Sequence, residues 1–466
     1  MMQADRPETL KSMKVRKDML NLTYFVVSIA CVVVLLMYKK KAGSGAILGT
    51  TVFVASFYFV LYLFLLQFRH EVLQVARKTF FILFTILTFL VITKIITGNP
   101  DPHLIYLVPF TIIPVMVRTF YDARLALFIL LITVMLAGIM VAEPYEFILM
   151  SFVSGMAAIF TLTNVYRRTH LIYTSLIVIL TYTVLFISIT LMNEGDFNEK
   201  TGDYILLFTG NGILVLLCYP LILIFEKNFL FLSDTTLLEL ADTNQLLLRK
   251  LANEAPGSFQ HSLQVANLAE EAARVIGVNP LLVRTGALYH DIGKVANPKY
   301  FIENQVDEKN PHDILDPRAS SKLIINHVKN GVVLAKNYKI PVQIIDFIRT
   351  HHGTTTAYFF YKKFVDLYPD RRDMKKEFTY PGPRPFTRET AIVMMADAVE
   401  ASSRSLNKFS EEEISELVDR IVYLQEQDGQ FSDVPLTYKD ISDIKGVFKK
   451  RLSNIYHARV AYPDRS

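Results

Sequence analysis

"RTGALYHDIGKVANPKYFIENQ", residues 284–305, sets His290 directly beside Asp291 at the end of an apolar helical stretch and follows the pair with Gly293 and Lys294. Imidazole and carboxylate are both metal-ligating groups, and they do not stand alone. Of the ten histidines in the chain, six lie between 261 and 352: His261, His290, His312, His327, His351 and His352. Asp397 adds a carboxylate inside the apolar run "AIVMMADAVEASSRS" (391–405), where it needs a partner or a cation. A set of His and Asp without thiolates suits Mn, Fe or Zn. More than four such ligands point to two ions bridged by a carboxylate, an arrangement that activates water and stabilises phosphoryl transfer in line.

Upstream of this cluster the chain is of another character. Hydrophobic residues make up 52% of its 466 positions, and the excess lies almost entirely before residue 226. Eight apolar segments, approximately 23–38, 45–67, 79–97, 104–118, 124–141, 146–165, 171–192 and 204–225, approach the length needed to cross a roughly 30 Å hydrocarbon core. The fourth is short and carries Pro109 and Pro114, so a straight span is least expected there. Basic loops "QFRHEVLQVARK" (67–78), "RTFYDAR" (118–124) and "YRRTH" (166–170) alternate with the acidic or neutral "TGNPDPH" (97–103), "AEPYE" (142–146) and "NEGDFNEKTGD" (193–203). That alternation puts both termini in the cytoplasm. One loop disagrees, since "YKKKAGSG" (38–45) carries three lysines on the side expected outside. The basic leader and first apolar run have no small-residue cleavage pattern and read as a retained anchor. Charged residues are nearly absent from mid-span, which argues for an anchor or sensor over a transporter. Cys31 and Cys218 sit in apolar runs, leaving no disulfide framework or thiolate site. A net charge of +5 gives no footprint for a nucleic-acid polymer.

Beyond Glu226 the pattern becomes helical and amphipathic. "SDTTLLELADTNQLLLRKL" (233–251) predicts one helix, stopped by "EAPGS" (254–258). Further helices are expected at 258–277, 279–294, 317–338, 341–351, 387–406, 410–426 and 438–456, with almost no period-two alternation. The stretch 353–386, ending in "YPGPRPF", reads as a long connection, a lid or a docking loop.

His261, "HDIGK" (290–294), His327, "HHGT" (351–354) and Asp397 resemble the HD-domain metal-dependent phosphohydrolases. The longer stretches "APGSFQHSLQVANLAEEAARVIGVNPLL", "NPHDILDP", "HVKNGVVLAKNYKIP", "YPGPRP" and "DGQFSDVPLT" narrow the resemblance to the bacterial seven-transmembrane HD family, over about residues 45–463. The resemblance implies an all-α chain: a cytoplasmic leader (1–22), a transmembrane bundle of about eight spans (23–226), a juxtamembrane helical linker (227–256) and a cytoplasmic HD domain (257–466). It implies a bacterial inner-membrane enzyme that hydrolyses cyclic di-AMP to pApA with two divalent ions, Mn or Fe, and a bridging hydroxide. His261, His290, Asp291 and Asp397 would hold one ion; Asp291, His327, His351 and His352 would hold the other. Lys294 would face the scissile phosphate, unless it is a solvated helix-end lysine, and Gly293 would let the backbone turn away. Tyr300 and Phe301 would stack on adenine or simply pack, Asn304 and Gln305 would read its edge, and Thr354 and Arg404 are further substrate candidates. His312 fits no ligand position. A homodimer through the bundle or the linker is compatible with this pattern.

In one respect the chain departs from that family, whose members carry a large extracellular domain after the first helix. Here only "KKKAGSGAI" (39–47) intervenes, which reads as a deletion, engineered or natural, closed by a Gly-Ser joint. Two other HD activities compete. Cyclic di-GMP hydrolases share the ligand logic but carry a Gly-Tyr-Pro signature absent from "HHGTTTAY". Alarmone hydrolases follow the His-Asp pair with acidic residues instead of Gly-Lys. A receptor that binds nucleotide without cleaving it is the alternative of a different class, and the full ligand set argues against it.

Overall fold

The computed structural model describes residues 6–38, 43–162, 168–196, 201–305, 310–406 and 409–457. Residues 39–41, Tyr166 and Arg167 of the third basic loop, and residues 197–200 of the acidic one lie outside the described residues. The chain is all-α in two compact units, Met1–Thr235 and Thr236–Ser466. Among the described residues the single β contact is an isolated bridge between Thr356 and Thr379.

In the first unit, seven helical segments are long and apolar enough to cross a membrane: Asp18–Met37, Ser44–Phe68, Ala76–Ile96, Pro102–Phe120, Pro144–Thr161, His170–Asn193 and Thr201–Phe229. The fifth expected span, 124–141, is instead the helix Ala123–Gly138, whose 16 residues reach only about 24 Å. Apolar side chains point outward as well as inward, as a lipid-facing surface requires. Val52 is 62% exposed and Phe59 61%, while Val54, Tyr58 and Leu61 of the same helix are fully buried.

Prolines decide where these helices break. The fourth span consists of a 3₁₀ turn, Pro102–Leu107, and a separate helix, Ile112–Phe120, that begins just after Pro109 and holds Pro114 in its first turn. Asn211, fully buried on the Thr201–Val215 helix, donates to the carbonyls of Tyr106 (2.8 Å) and Val108 (3.0 Å) at the break. A side-chain amide thus adds hydrogen bonds to backbone carbonyls at the interruption, in an apolar surrounding. Asn211→Leu is therefore expected to destabilise the first unit by about 1–2 kcal/mol, read as a lower melting temperature in detergent. An unchanged melting curve would show that these hydrogen bonds contribute nothing net.

In the second unit the sequence 233–251 forms two helices, Asp234–Ala241 and Leu246–Glu254, where one was expected. The interruption has a local cause: Asp242 turns its carboxylate onto the backbone N–H of Asn244 (2.9 Å), a turn that competes with continued helix. Leu237, Leu247, Leu248 and Leu251 of this stretch are buried, and Tyr289 donates its hydroxyl to the Leu240 carbonyl (3.0 Å). The expected connection 353–386 is also largely structured. It holds the helix Tyr358–Leu367, anchored by buried Phe364, and the 3₁₀ run Pro369–Phe378, anchored by Phe378. The hydrophobic anchors are short and spaced unevenly, so no long periodic pattern announced them.

Candidate metal centre

Five helices of the second unit deliver the His/Asp cluster. Pro256–Val275 opens with Pro at its first turn and carries His261. Pro280–Tyr289 is capped by Asn279, whose side chain accepts from the N–H groups of Leu281 and Leu282, and ends at His290. Pro317–Asn337 carries His327, Val342–Thr350 ends at His351, and Arg388–Ser403, started by a Thr387–Thr390 capping box, carries Asp397.

Gly293 explains how two of these helices meet. A Cβ at this position would lie 1.8 Å from the His327 carbonyl oxygen and 2.5 Å from the Gly331 nitrogen. Its φ is not positive, so no left-handed backbone calls for glycine here. Absence of a side chain lets the Ile292–Ala296 turn lie directly on the Pro317–Asn337 backbone, bringing Asp291 to His327.

Asp291 sits at the middle of the cluster and is 1% exposed. Its Oδ2 faces His290 Nε2 (3.2 Å) and His261 Nε2 (3.7 Å), while Oδ1 faces His327 Nε2 (3.4 Å) and His351 Nε2 (3.6 Å). Asp397 lies 2.9 Å from His261 Nε2, 3.7 Å from His290 Nε2 and 3.8 Å from His352 Nδ1. Two separate trios, His261–His290–Asp397 and His327–His351–His352, and a third, His290–Asp291–His351, that links them each have ligand atoms within 4.8 Å of one another.

The tautomers suit cations. His290, His327 and His351 each donate Nδ1–H to the carbonyl three residues back, that of Ala287 (2.6 Å), Ile324 (2.6 Å) and Ile348 (2.9 Å). Nε2 is thereby the nitrogen aimed inward, the one that can lend its lone pair to a cation. The Nε2 atoms of His327 and His351 stand 3.1 Å apart, two acceptors facing each other, which a shared cation would relieve. His290 Nε2 and Asp291 Oδ1 are buried without a hydrogen-bond partner. These atoms, with their chemistry and orientation, fit divalent ions.

Electrostatics divides the cluster in the same way. Burial opposes charge, yet Lys294 and His290 hold Asp291 well below the usual carboxylate range, and His261 and His290 do so for Asp397. Burial is likewise overcome at His290, which Asp291 and Asp397 lift to about 10, and at His261, raised by Asp397 and Glu400. In the other trio burial wins: His327 and His351 are lowered and His352 falls to about 3. One trio thus draws protons that a cation would displace, and the other presents neutral imidazoles.

Several expected substrate contacts are engaged within the protein. Lys294, expected at a phosphate or in solvent, is nearly buried and bridges Asp291 Oδ2 and Glu303 Oε1, both at 2.7 Å. Phe301 is 6% exposed and packs its ring edge-on against His327. Asn304 accepts from the Ser258 N–H (3.1 Å) and donates to its Oγ (2.8 Å), capping the Pro256–Val275 helix from outside with both ends of its amide. Gln305 donates to the Lys299 carbonyl (3.3 Å), and Thr354 is held by Gln430 (3.0 Å) and Arg384 (3.1 Å). Arg404 forks onto Glu400 (2.6 and 3.0 Å). Tyr300 is half-buried against His312, which donates to the Tyr300 carbonyl (2.9 Å) and takes no part in the cluster. Three contributors escaped the sequence reading: Glu303, Glu400 and Tyr380, whose ring lies 4.3 Å from that of His352. Only Glu400 left a trace, one turn after Asp397 in an apolar helix.

Residues 44–233 match the model for a 7TM receptor with intracellular HD hydrolase, and residues 258–402, which hold every member of both trios, match the HD domain. The chain belongs to this seven-transmembrane HD family. Among family relatives, the cyclic-di-AMP phosphodiesterase PgpH of Bacillus subtilis is 35% identical over 77% of the chain and 51% of its own length. PgpH of Listeria monocytogenes is 37% identical over 67% of the chain and 43% of its own length. The chain therefore spans about half the length of the curated relatives it matches. The crystal structure of the Listeria monocytogenes PgpH HD domain in complex with cyclic-di-AMP matches 46% of the chain and all of its own, at 42% identity and a TM-score of 0.45.

Proposed function

We propose that this chain is a membrane-anchored, metal-dependent phosphodiesterase that hydrolyses cyclic di-AMP to pApA at a site for two divalent ions, Mn or Fe. The observation that carries this reading is Asp291, whose two oxygens face two different histidine pairs. His261, His290 and Asp397 with Oδ2 would hold one ion, and His327, His351 and His352 with Oδ1 the other. When bound, such a pair supplies an activated water near neutral pH and offsets phosphoryl charge. The chain's own groups set the stage. Backbone carbonyls fix three imidazoles, Lys294 grips Asp291 by one oxygen, and Phe301 and Tyr380 pack against the rings of His327 and His352. Water adds to phosphorus as one P–O3′ bond breaks; the proton lost by water balances the one gained by the departing 3′-oxygen. The names of the PgpH relatives support cyclic di-AMP as the substrate. The basic loops support a cytoplasmic HD domain, on the side where a bacterial nucleotide messenger is found.

Full-length protein in detergent with Mn²⁺ is expected to convert cyclic di-AMP to a linear dinucleotide identified by mass. Chelation should abolish turnover and added Mn²⁺ should restore it. Faster cleavage of cyclic di-GMP would reject the substrate, and turnover unaffected by chelator would reject the metal chemistry.

A further inference from the structure

Three cluster histidines are held from behind by main-chain carbonyls; His261 is held by a carboxylate. Its Nδ1 meets Glu400 Oε2 while its Nε2 faces Asp397. Glu400 is 7% exposed, and its other oxygen accepts from Arg404 Nε (3.0 Å) and Nη2 (2.6 Å). Asp397 and Glu400 stand three residues apart on Arg388–Ser403, so one helix face supplies both a ligand-type carboxylate and the group behind the neighbouring ligand.

We propose that Glu400, clamped by Arg404, is a positioning residue that makes the His261–His290–Asp397 half the tighter of the two cation positions. The inference rests on the two-ion reading above. An imidazole that donates to a carboxylate is fixed in one tautomer and is a more basic ligand than one that donates to a peptide carbonyl. Charge adds to this asymmetry. A cation in this half meets Asp397 Oδ1 and Asp291 Oδ2 with Glu400 close behind, and Lys294, which grips the same Asp291 oxygen at 2.7 Å, is balanced by Glu303. The other half offers three imidazoles and Asp291 Oδ1, with Asp397 Oδ2 farther off at 3.8 Å from His352. Arg404 is 41% exposed along its side chain and, among the described residues, reaches the cluster through Glu400. A purely structural Glu400–Arg404 pair, four residues apart on one helix, would change stability without favouring either half.

The test uses full-length protein in detergent, stripped by chelator and titrated with Mn²⁺ alone, with uptake followed by elemental analysis and Mn²⁺ electron paramagnetic resonance. Wild type is expected to fill two positions with distinct affinities, the second ion converting an isolated-ion signal into that of a coupled pair. Glu400→Ala should weaken the tighter position about 10- to 100-fold and leave the weaker one unchanged. Glu400→Gln, which keeps an acceptor but no charge, should fall between them, and Arg404→Ala should shift the same position by less. The metal-free variants should melt close to wild type. Equal affinities in wild type, unchanged uptake by Glu400→Ala, or equal weakening of both positions would overturn the inference while the two-ion reading stands. Uptake of fewer than two ions by wild type would overturn both.

Discussion

Asp291→Asn is expected to lower phosphodiester hydrolysis by on the order of 10³-fold or more while leaving the fold intact. The substitution keeps the shape of a side chain that is almost completely buried among four imidazoles. It removes the charge and turns one of two acceptor oxygens into a donor, so the amide cannot face both trios as an acceptor. Whichever half receives the NH₂ group loses its share of the bridge. Lys294 keeps Glu303 as a partner at 2.7 Å, which limits the structural cost. Elemental analysis should find at most one tightly held Mn²⁺, and the circular dichroism spectrum should match wild type. Turnover of cyclic di-AMP near the wild-type rate, with two ions retained, would mean that the chemistry happens elsewhere.

Asp291 was also where sequence reasoning reached furthest, for a physical reason. Ligand groups belong to few residue types, and six histidines packed into ninety-two positions leave a compositional mark. The two-unit helical architecture was visible on similar grounds, because spans of about 20 apolar residues and amphipathic repeats are local properties. Contacts between distant segments left no such mark. Asn304 lies beside the ligand pair in sequence, yet its amide is spent on Ser258, 46 residues earlier. Lys294 follows Asp291 by three residues, but its position is set by Glu303, which no motif singled out. Helix interruptions were equally hidden where a single side chain decides them, as Asp242 does by capturing the Asn244 N–H. Adjacency identified the atoms that gather at the cluster; it did not reveal which neighbours those atoms already satisfy.

The same distinction gives Gly293→Ala an expected effect opposite in sign to the usual one. At a glycine whose φ suits an L-residue, alanine ordinarily stabilises by about 0.4–1 kcal/mol, because it restricts the unfolded chain. Gly293 has such a φ, but its Cβ would lie 1.8 Å from the His327 carbonyl oxygen, a backbone atom that cannot rotate away. Gly331 faces it across the contact, with its own Cβ position 3.2 Å from the Gly293 nitrogen and 2.8 Å from Ile348 Cγ2. The turn and the helix must therefore part by about 1 Å or more, an overpacking cost of roughly 1–3 kcal/mol that exceeds the entropic gain. The parting also moves His327 away from Asp291, now 3.4 Å apart, and displacement on this scale costs about 10²-fold in rate. Gly293→Ala should thus melt several degrees lower, lose affinity for the ion assigned to the His327 trio, and turn over about 10²-fold more slowly. Gly446→Ala on Tyr438–His457, where an added Cβ meets nothing within 4 Å, is the matched control and should be neutral or mildly stabilising. If Gly293→Ala behaved like that control, the close approach of turn and helix would not be what holds Asp291 against His327.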